Sequence, residues 1–296
     1  MSGVLMLAKR NALCFFRDRA SVLFSLMAVL VVLMLYLLFL RSLLVDSVVN
    51  GGLEIASESQ ACSLVDSWVM AGILGIVSVT SSAGSLQCMV EDRASGKDLD
   101  FRISPMKPHQ IAAGYIISTF IVGLLMSVLA LAMAVAFLSV SGCALEASSV
   151  AVCAALLVPS ALSGTIIVFA LVSLLKSQGA FSGFFSVLSI MIGFLTGIYM
   201  PMGSLPGAMQ AVGTLLPATH MAALFRQSLC SGPMSEVFGP YDASGFRKEM
   251  GFDLSLGGFE FSPEASIAYV AAVTAIFFAF AVAAMRRRRA RSADLG

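Results

Sequence analysis

Six long stretches of this 296-residue chain contain no Asp, Glu, Lys, Arg or His: 22–40, 68–90, 111–141, 150–175, 179–200 and 266–285. A helix rises about 1.5 Å per residue, so roughly 20 residues cross a hydrocarbon core of about 30 Å, and each stretch has that reach. The sequence therefore predicts an all-α integral membrane protein with six transmembrane helices. A soluble core does not account for them. The chain is 58% hydrophobic and 12% charged with mean hydropathy +0.94, whereas soluble domains average about a quarter charged. An ionisable group at mid-membrane costs upward of ~2.5 kcal/mol and persists mainly where ions or protons travel. Its absence from the six stretches argues against a proton-coupled transporter and against a membrane enzyme with paired buried acids.

Net charge is only +1, which gives no signal for a nucleic-acid partner, but the basic residues are unevenly placed. With a cytoplasmic N-terminus, the inner segments carry Lys9, Arg10, Arg17, Arg19, Arg93, Lys97, Arg102, Lys107, Lys176, Arg286, Arg287, Arg288, Arg289 and Arg291, fourteen of the 18 basic residues. The outer segments carry only Arg41, Arg226, Arg247 and Lys248. The positive-inside rule then predicts a multi-pass protein of the plasma (inner) membrane with both termini cytoplasmic. The basic tail 286–296 is expected to anchor on anionic headgroups.

Residues 1–21 do not read as a signal peptide, because no small-residue cleavage site follows the first span. At about 100° per residue, Leu5, Met6, Ala8, Ala12, Leu13, Phe15, Phe16 and Ala20 share one arc, and Arg10, Asn11, Arg17, Asp18 and Ser21 gather on the other. This predicts an amphipathic interfacial helix, either a membrane anchor or a contact surface for a cytoplasmic partner. The charged segment 91–108, EDRASGKDLDFRISPMKP, is punctuated at Ser95-Gly96 and Ser104-Pro105. A short helix between them would present Lys97, Asp98, Asp100 and Arg102 to another protein.

Several motifs together resemble the permease subunits of ABC type-2 exporters. They are the interfacial stretch RNALCFFRDRASVLFSL (10–26), the E-D-R-x-x-G-x-x-x-x-x-x-x-S-P loop after the second span (91–105), and the G-I-Y-M-P end of the fifth (197–201). Leu205-Pro206, Leu216-Pro217 and Phe225-Arg226 continue the likeness. The resemblance implies a dimer, made with a second copy or a sister permease, embedded in membrane lipids. It also implies a separate ATP-hydrolysing subunit for each permease, which would carry ATP and Mg. In that family the N-terminal helix and the loop between spans two and three touch the ATPase. Carried over, the first element offers Arg10, Arg17, Asp18 and Arg19, and the second Glu91, Arg93, Gly96, Lys97, Arg102 and Pro105. Re-entrant outer helices acting as a gate are implied as well.

The residues support this division of labour independently. No G-x-x-x-x-G-K-[ST] stretch is present to hold a nucleotide, and no predicted cytoplasmic segment exceeds about 20 residues, so ATP hydrolysis is expected on a partner. No catalytic set, cofactor site or metal site is expected on this chain, since His109 and His220 fall on opposite faces of the predicted topology. The weakly polar residues of spans two and five either pack helices or line a translocation path. The candidates for the path are Ser78, Ser82, Ser85, Ser186, Ser189, Thr196 and Tyr199. An uncharged path suits an amphiphilic export substrate such as a drug, peptide or lipid. An ATP-independent channel or scaffold is the alternative.

Smaller features complete the reading. Pro159 is expected to bend span four. The spacings Gly179-x-x-x-Gly183 and Gly193-x-x-x-Gly197 permit close helix approach. The region 201–265 is expected outside, with short helices starting at Pro206 and Pro217 followed by a Gly-rich, acidic lid, and with His220 and Arg226 in structural roles. Cys143 and Cys153 flank a short outer turn and either pair or remain free.

Overall fold

The computed structural model describes residues 3–50, 57–97, 99, 104, 106–143, 145–175 and 177–293, without the side chains of Ser21, Phe24, Ala28, Asn50 and residues 284–293. The chain opens with α1 (Gly3–Arg17). After it, the Asp18 carboxylate accepts the Ala20 amide at 3.0 Å and starts α2 (Arg19–Ser25). Next come α3 (Met27–Leu35), a π-helical turn Tyr36–Leu40 and α4 (Arg41–Asn50). α5 (Glu58–Ser85) begins with a capping box. Ser57 Oγ accepts the Gln60 amide at 3.4 Å, and the Gln60 side chain accepts the Ser57 amide at 3.0 Å. α6 (Gln87–Ala94) continues it. Three long helices follow: α7 (Pro108–Val140), α8 (Ala147–Val172) and α9 (Gln178–Leu195).

Beyond them, a cap is built from α10 (Gly207–Thr214), α11 (Pro217–Leu229), α12 (Ser231–Phe238) and α13 (Ser244–Glu249). A hairpin of β1 (Leu254–Leu256) and β2 (Phe259–Phe261) pairs Leu254 with Phe261 and Leu256 with Phe259. Its two-residue turn is Gly257-Gly258, both at positive φ, the backbone a tight hairpin demands. α14 (Pro263–Ala293) closes the fold.

Among the described residues, six helices are long and apolar enough to cross a membrane: Val29–Val49, Glu58–Ala94, Pro108–Val140, Ala147–Val172, Gln178–Leu195 and Pro263–Ala283. The protein is thus an all-α integral membrane protein with six spans. The second span is the axis of the bundle, with 83% of its apolar window buried, against 28% for the first, 22% for the fifth and 17% for the sixth. The last three therefore offer their flanks to lipid or to another chain. α5 packs against α7, α8 and α11, and small residues set the distances. A Cβ on Gly75 would stand 2.6 Å from Ala222 Cβ, and one on Gly164 would meet the Ser78 backbone at 3.2 Å. By contrast, Gly179 and Gly183 have nothing within 4 Å, so their spacing serves no packing inside this chain. α8 runs through Pro159, with Ser163 Oγ donating to the Ser160 carbonyl at 3.0 Å.

The first two helices extend past their charge-free stretches. The helical run around the first stretch, 22–40, continues through Arg41 and Asp46, and the helices around 68–90 reach from Glu58 to Ala94, taking in Asp66 and Asp92. The two aspartates are 1% and 2% exposed. They survive burial because each is paired. Asp66 accepts the Tyr36 hydroxyl and the Arg41 guanidinium, from Nε at 2.9 Å and Nη2 at 3.1 Å. Asp92 has an equivalent set of partners at the other end. Twenty-six residues of helix separate them, about 39 Å at 1.5 Å per residue, so they sit near opposite ends of the span.

Candidate coupling face and translocation cleft

At the α1 end of the bundle, α6 draws four other helices together. Arg10 on α1 grips Asp92 with both guanidinium arms, Nη1 to Oδ2 at 2.5 Å and Nη2 to Oδ1 at 2.8 Å, and Tyr115 on α7 donates its hydroxyl to Oδ2 at 2.7 Å. The bidentate geometry fixes direction as well as distance. It sets a register between α1 and span two. Arg10 stands opposite Asp92, Asn11 opposite Cys88 (Sγ to Oδ1, 3.9 Å), and Phe15 against Gly84. Arg93 turns the other way and donates from Nη1 to the Ser173 and Leu175 carbonyls, at 3.2 and 3.3 Å, satisfying the C-terminal end of α8. Glu91 accepts Gln87 at 2.7 Å and Gln178, at the start of α9, at 3.1 Å.

The residues carried over for contact with an ATPase therefore divide in two. Arg10 and Arg93, both partly buried, hold the platform together, and Glu91 bonds to its neighbours at the surface. Arg17, Asp18, Arg19 and Lys97 are exposed on it, and Gly96 turns the chain at φ +75°. Asp98, Asp100, Arg102, Pro105 and Lys176 lie outside the described residues. A cleft of about 410 Å³ opens between α1 and α6, lined by Cys14, Arg17, Asp18, Gln87, Cys88 and Glu91 among others. Sequence reasoning missed Asp92 and Tyr115. The signal was available, since extending the helical spacing of span two places Gly84, Cys88 and Asp92 on one stripe.

A larger cleft, about 580 Å³, lies between the first, second and fifth spans. Met27 and Val31 form one wall, Gly84 and Gln87 another, and Phe181, Phe185, Ser186, Ser189 and Tyr199 the third. It is mainly apolar with a few hydroxyls and one amide. The path candidates separate here. Ser186, Ser189 and Tyr199 line this cleft, and Ser85 lines the smaller one. Ser78 instead shares a hydrogen bond with Ser160 at 2.8 Å, Ser82 with Thr165 at 3.3 Å, and Thr196 donates to the Ile192 carbonyl at 2.7 Å. These three are part of helix packing.

At the opposite end, Arg226 is wholly buried on α11. Its guanidinium donates to the Thr196 and Gly197 carbonyls at 3.1 and 3.0 Å and to the Gly251 carbonyl at 3.2 Å, and lies 4.7 Å from the Trp68 ring centre. Gly197, at φ +70°, turns the end of α9. The cation is thus held by carbonyl dipoles at a helix C-terminus and an aromatic face, with no carboxylate. Burial pulls its pKa down to about 10, which leaves it charged near neutrality. Trp68 Nε1 donates to the Met250 carbonyl at 2.8 Å, tying the cap to span two. His220 donates from Nε2 to the Thr214 carbonyl at 2.8 Å and accepts the Ser266 hydroxyl at Nδ1, 3.2 Å, between the Phe261 and Tyr269 rings. Burial lowers its pKa. Both residues thus sit in buried, bonded positions. All six cysteines are free thiols, Cys143 and Cys153 included. Among the described residues, no three His, Cys, Asp or Glu are grouped to hold a metal.

The described residues thus form six candidate spans, a charged platform joining helix ends, a cleft between spans and a capped far end. Comparison with curated proteins gives no match. The family profile described as "ABC-2 type transporter" matches residues 3–230, which takes in α1, the platform, the first five spans and the start of the cap. The chain therefore belongs to the ABC-2 type transporter family, as a membrane-spanning permease component that partners an ATP-binding cassette subunit.

Proposed function

We propose that this permease exports an amphiphilic substrate, a drug, peptide or lipid, from the cytoplasm across the plasma (inner) membrane, as one half of a dimer. The observation that carries this is the cleft between the first, second and fifth spans, whose aromatic wall and sparse hydroxyls suit a molecule that is mostly apolar with a polar end. The cleft borders two of the least covered spans, where a second permease would close it. ATP and Mg stay on the partner subunit. Its closure reaches the bundle through α1 and the 91–108 segment, and the basic residues predicted at that end support a cytoplasmic side for both termini.

The coupling role is tested by reversing charge at two positions of the segment, Lys97→Glu with Arg102→Glu. The variant is expected to insert normally and to lose at least tenfold in transport, with the partner's ATP hydrolysis no longer stimulated by substrate. Transport at the unaltered rate would remove the segment from the coupling path.

A further inference from the structure

The register between α1 and span two brings two thiols together. Asn11 touches Cys88 Sγ at 3.9 Å, and Phe15 packs on Gly84, one turn away on each helix. Cys14 falls between Asn11 and Phe15 on the first helix, as Cys88 falls between Gly84 and Asp92 on the second. In this register Cys14 lies on the stretch of α1 that faces Cys88. Both line the 410 Å³ cleft, so the pair is reached through an opening and is not sealed in the bundle. Cys14 is exposed and Cys88 half-buried behind it. Arg10 and Asp92 hold the two helices in this register from one side, and Phe15 against Gly84 holds them from the other.

We infer that Cys14 and Cys88 are a dithiol site that oxidises reversibly to an intramolecular disulfide, stapling α1 to the end of span two. The oxidant belongs to the class of small disulfides. The Cys14 thiolate attacks one sulfur of oxidised glutathione, forming a mixed disulfide and releasing one glutathione thiolate. The Cys88 thiol then loses its proton and displaces the second glutathione, so two protein thiols become one S–S bond while one glutathione disulfide becomes two thiols. An accessible attacking thiol beside a shielded resolving thiol is the arrangement such exchange requires. The remaining cysteines, Cys62, Cys143, Cys153 and Cys230, lie on or beside the other end of the bundle and do not compete. This chemistry stands apart from the transport reading and survives its failure.

The test uses the full chain in native membrane vesicles opened to admit oxidised glutathione. Free thiols are then capped with maleimide, and the protein is digested and its peptides identified by mass spectrometry without reduction. The expected result is a linked peptide joining Cys14 and Cys88, abolished by dithiothreitol. In Cys14→Ser, a conservative change at an exposed position, Cys88 is expected to remain maleimide-reactive or buried with no linked peptide. In Cys88→Ser, Cys14 is expected to be recovered as its glutathione adduct. Cys14 recovered as the glutathione adduct or the maleimide adduct in the unaltered chain, with no linked peptide, would overturn the inference.

Discussion

Asp92 is the residue on which the α1 end is organised, because it is a buried carboxylate that receives three donated hydrogen bonds from two different helices. Removing its charge leaves Arg10 without an acceptor matched to its two arms. Asp92→Asn is expected to destabilise the chain by about 1.5–3 kcal/mol, the range for hydrogen bonds to a charged group. Adding Arg10→Gln to that variant should cost little more, since the interaction is already gone. Thermal unfolding of the four purified chains in one detergent checks this, and additive losses would show that the two residues act separately. Glu91→Gln, at an exposed neighbour, should stay within about 0.5 kcal/mol of the unaltered chain.

His220 gives a prediction in pH. Burial holds its pKa below the usual 6.5, so the unfolded chain takes up the proton first as pH falls. Its contribution to stability is fully present above about pH 6.5 and is lost as the medium acidifies through the lowered value. The unfolding midpoint is therefore expected to fall from pH 7.5 to 5.5 more steeply in the unaltered chain than in His220→Gln, and equal slopes would contradict the argument.

Among the elements, span two carries the packing. Its contact with α11 is set at Gly75, where any Cβ would meet both Ala222 Cβ at 2.6 Å and its backbone Cα at 2.8 Å. Gly75→Ala should lower the thermal midpoint by several degrees, and Ala222→Gly should recover part of that loss in the double variant, because it removes one of the two clashing atoms. Gly183→Ala, in open space on α9, should leave the midpoint of the isolated chain unmoved or slightly raised, since the added methyl meets nothing and alanine favours the helix. A similar loss at both glycines would contradict the argument, because alanine is the better helix former and propensity alone would raise the midpoint.

The six spans were legible in the sequence because charge-free length is a direct consequence of the bilayer. Their ends were less so. A charged residue marks the end of an apolar run, but it does not end a helix. Asp66 and Asp92 remain in helix because Arg41, Tyr36, Arg10 and Tyr115 meet them, and those partners come from 23 to 82 residues away. Pairing over such distances leaves no local trace. The hairpin left one, the Gly257-Gly258 turn between short apolar-aromatic runs, which the Gly-rich, acidic composition of this region concealed. Serine function was ambiguous for a related reason. Ser78 and Ser186 are alike in sequence, and only the neighbour each faces, Ser160 in one case and an open cleft in the other, tells packing from lining.

At the scale of the whole molecule, the protein is a buried central helix with three sparsely covered spans around it and two differently built ends. One end is a charged platform in which α1, α6, α7, α8 and α9 meet. The other is a cap pinned by Trp68 and Arg226 to the same central helix and to the end of α9. A push on the platform thus has a continuous packed route to the cap through span two and α9. The family assignment supplies the source of such a push, an ATP-binding cassette subunit on another chain. The most direct test is to purify the tagged chain from its native membrane in mild detergent, identify the chains that come with it, and assay ATP hydrolysis. The account predicts a stoichiometric partner bearing a G-x-x-x-x-G-K-[ST] loop and an ATPase activity that depends on that partner. A chain recovered alone and inactive, under conditions that preserve another ABC transporter assembly from the same membranes, would contradict it.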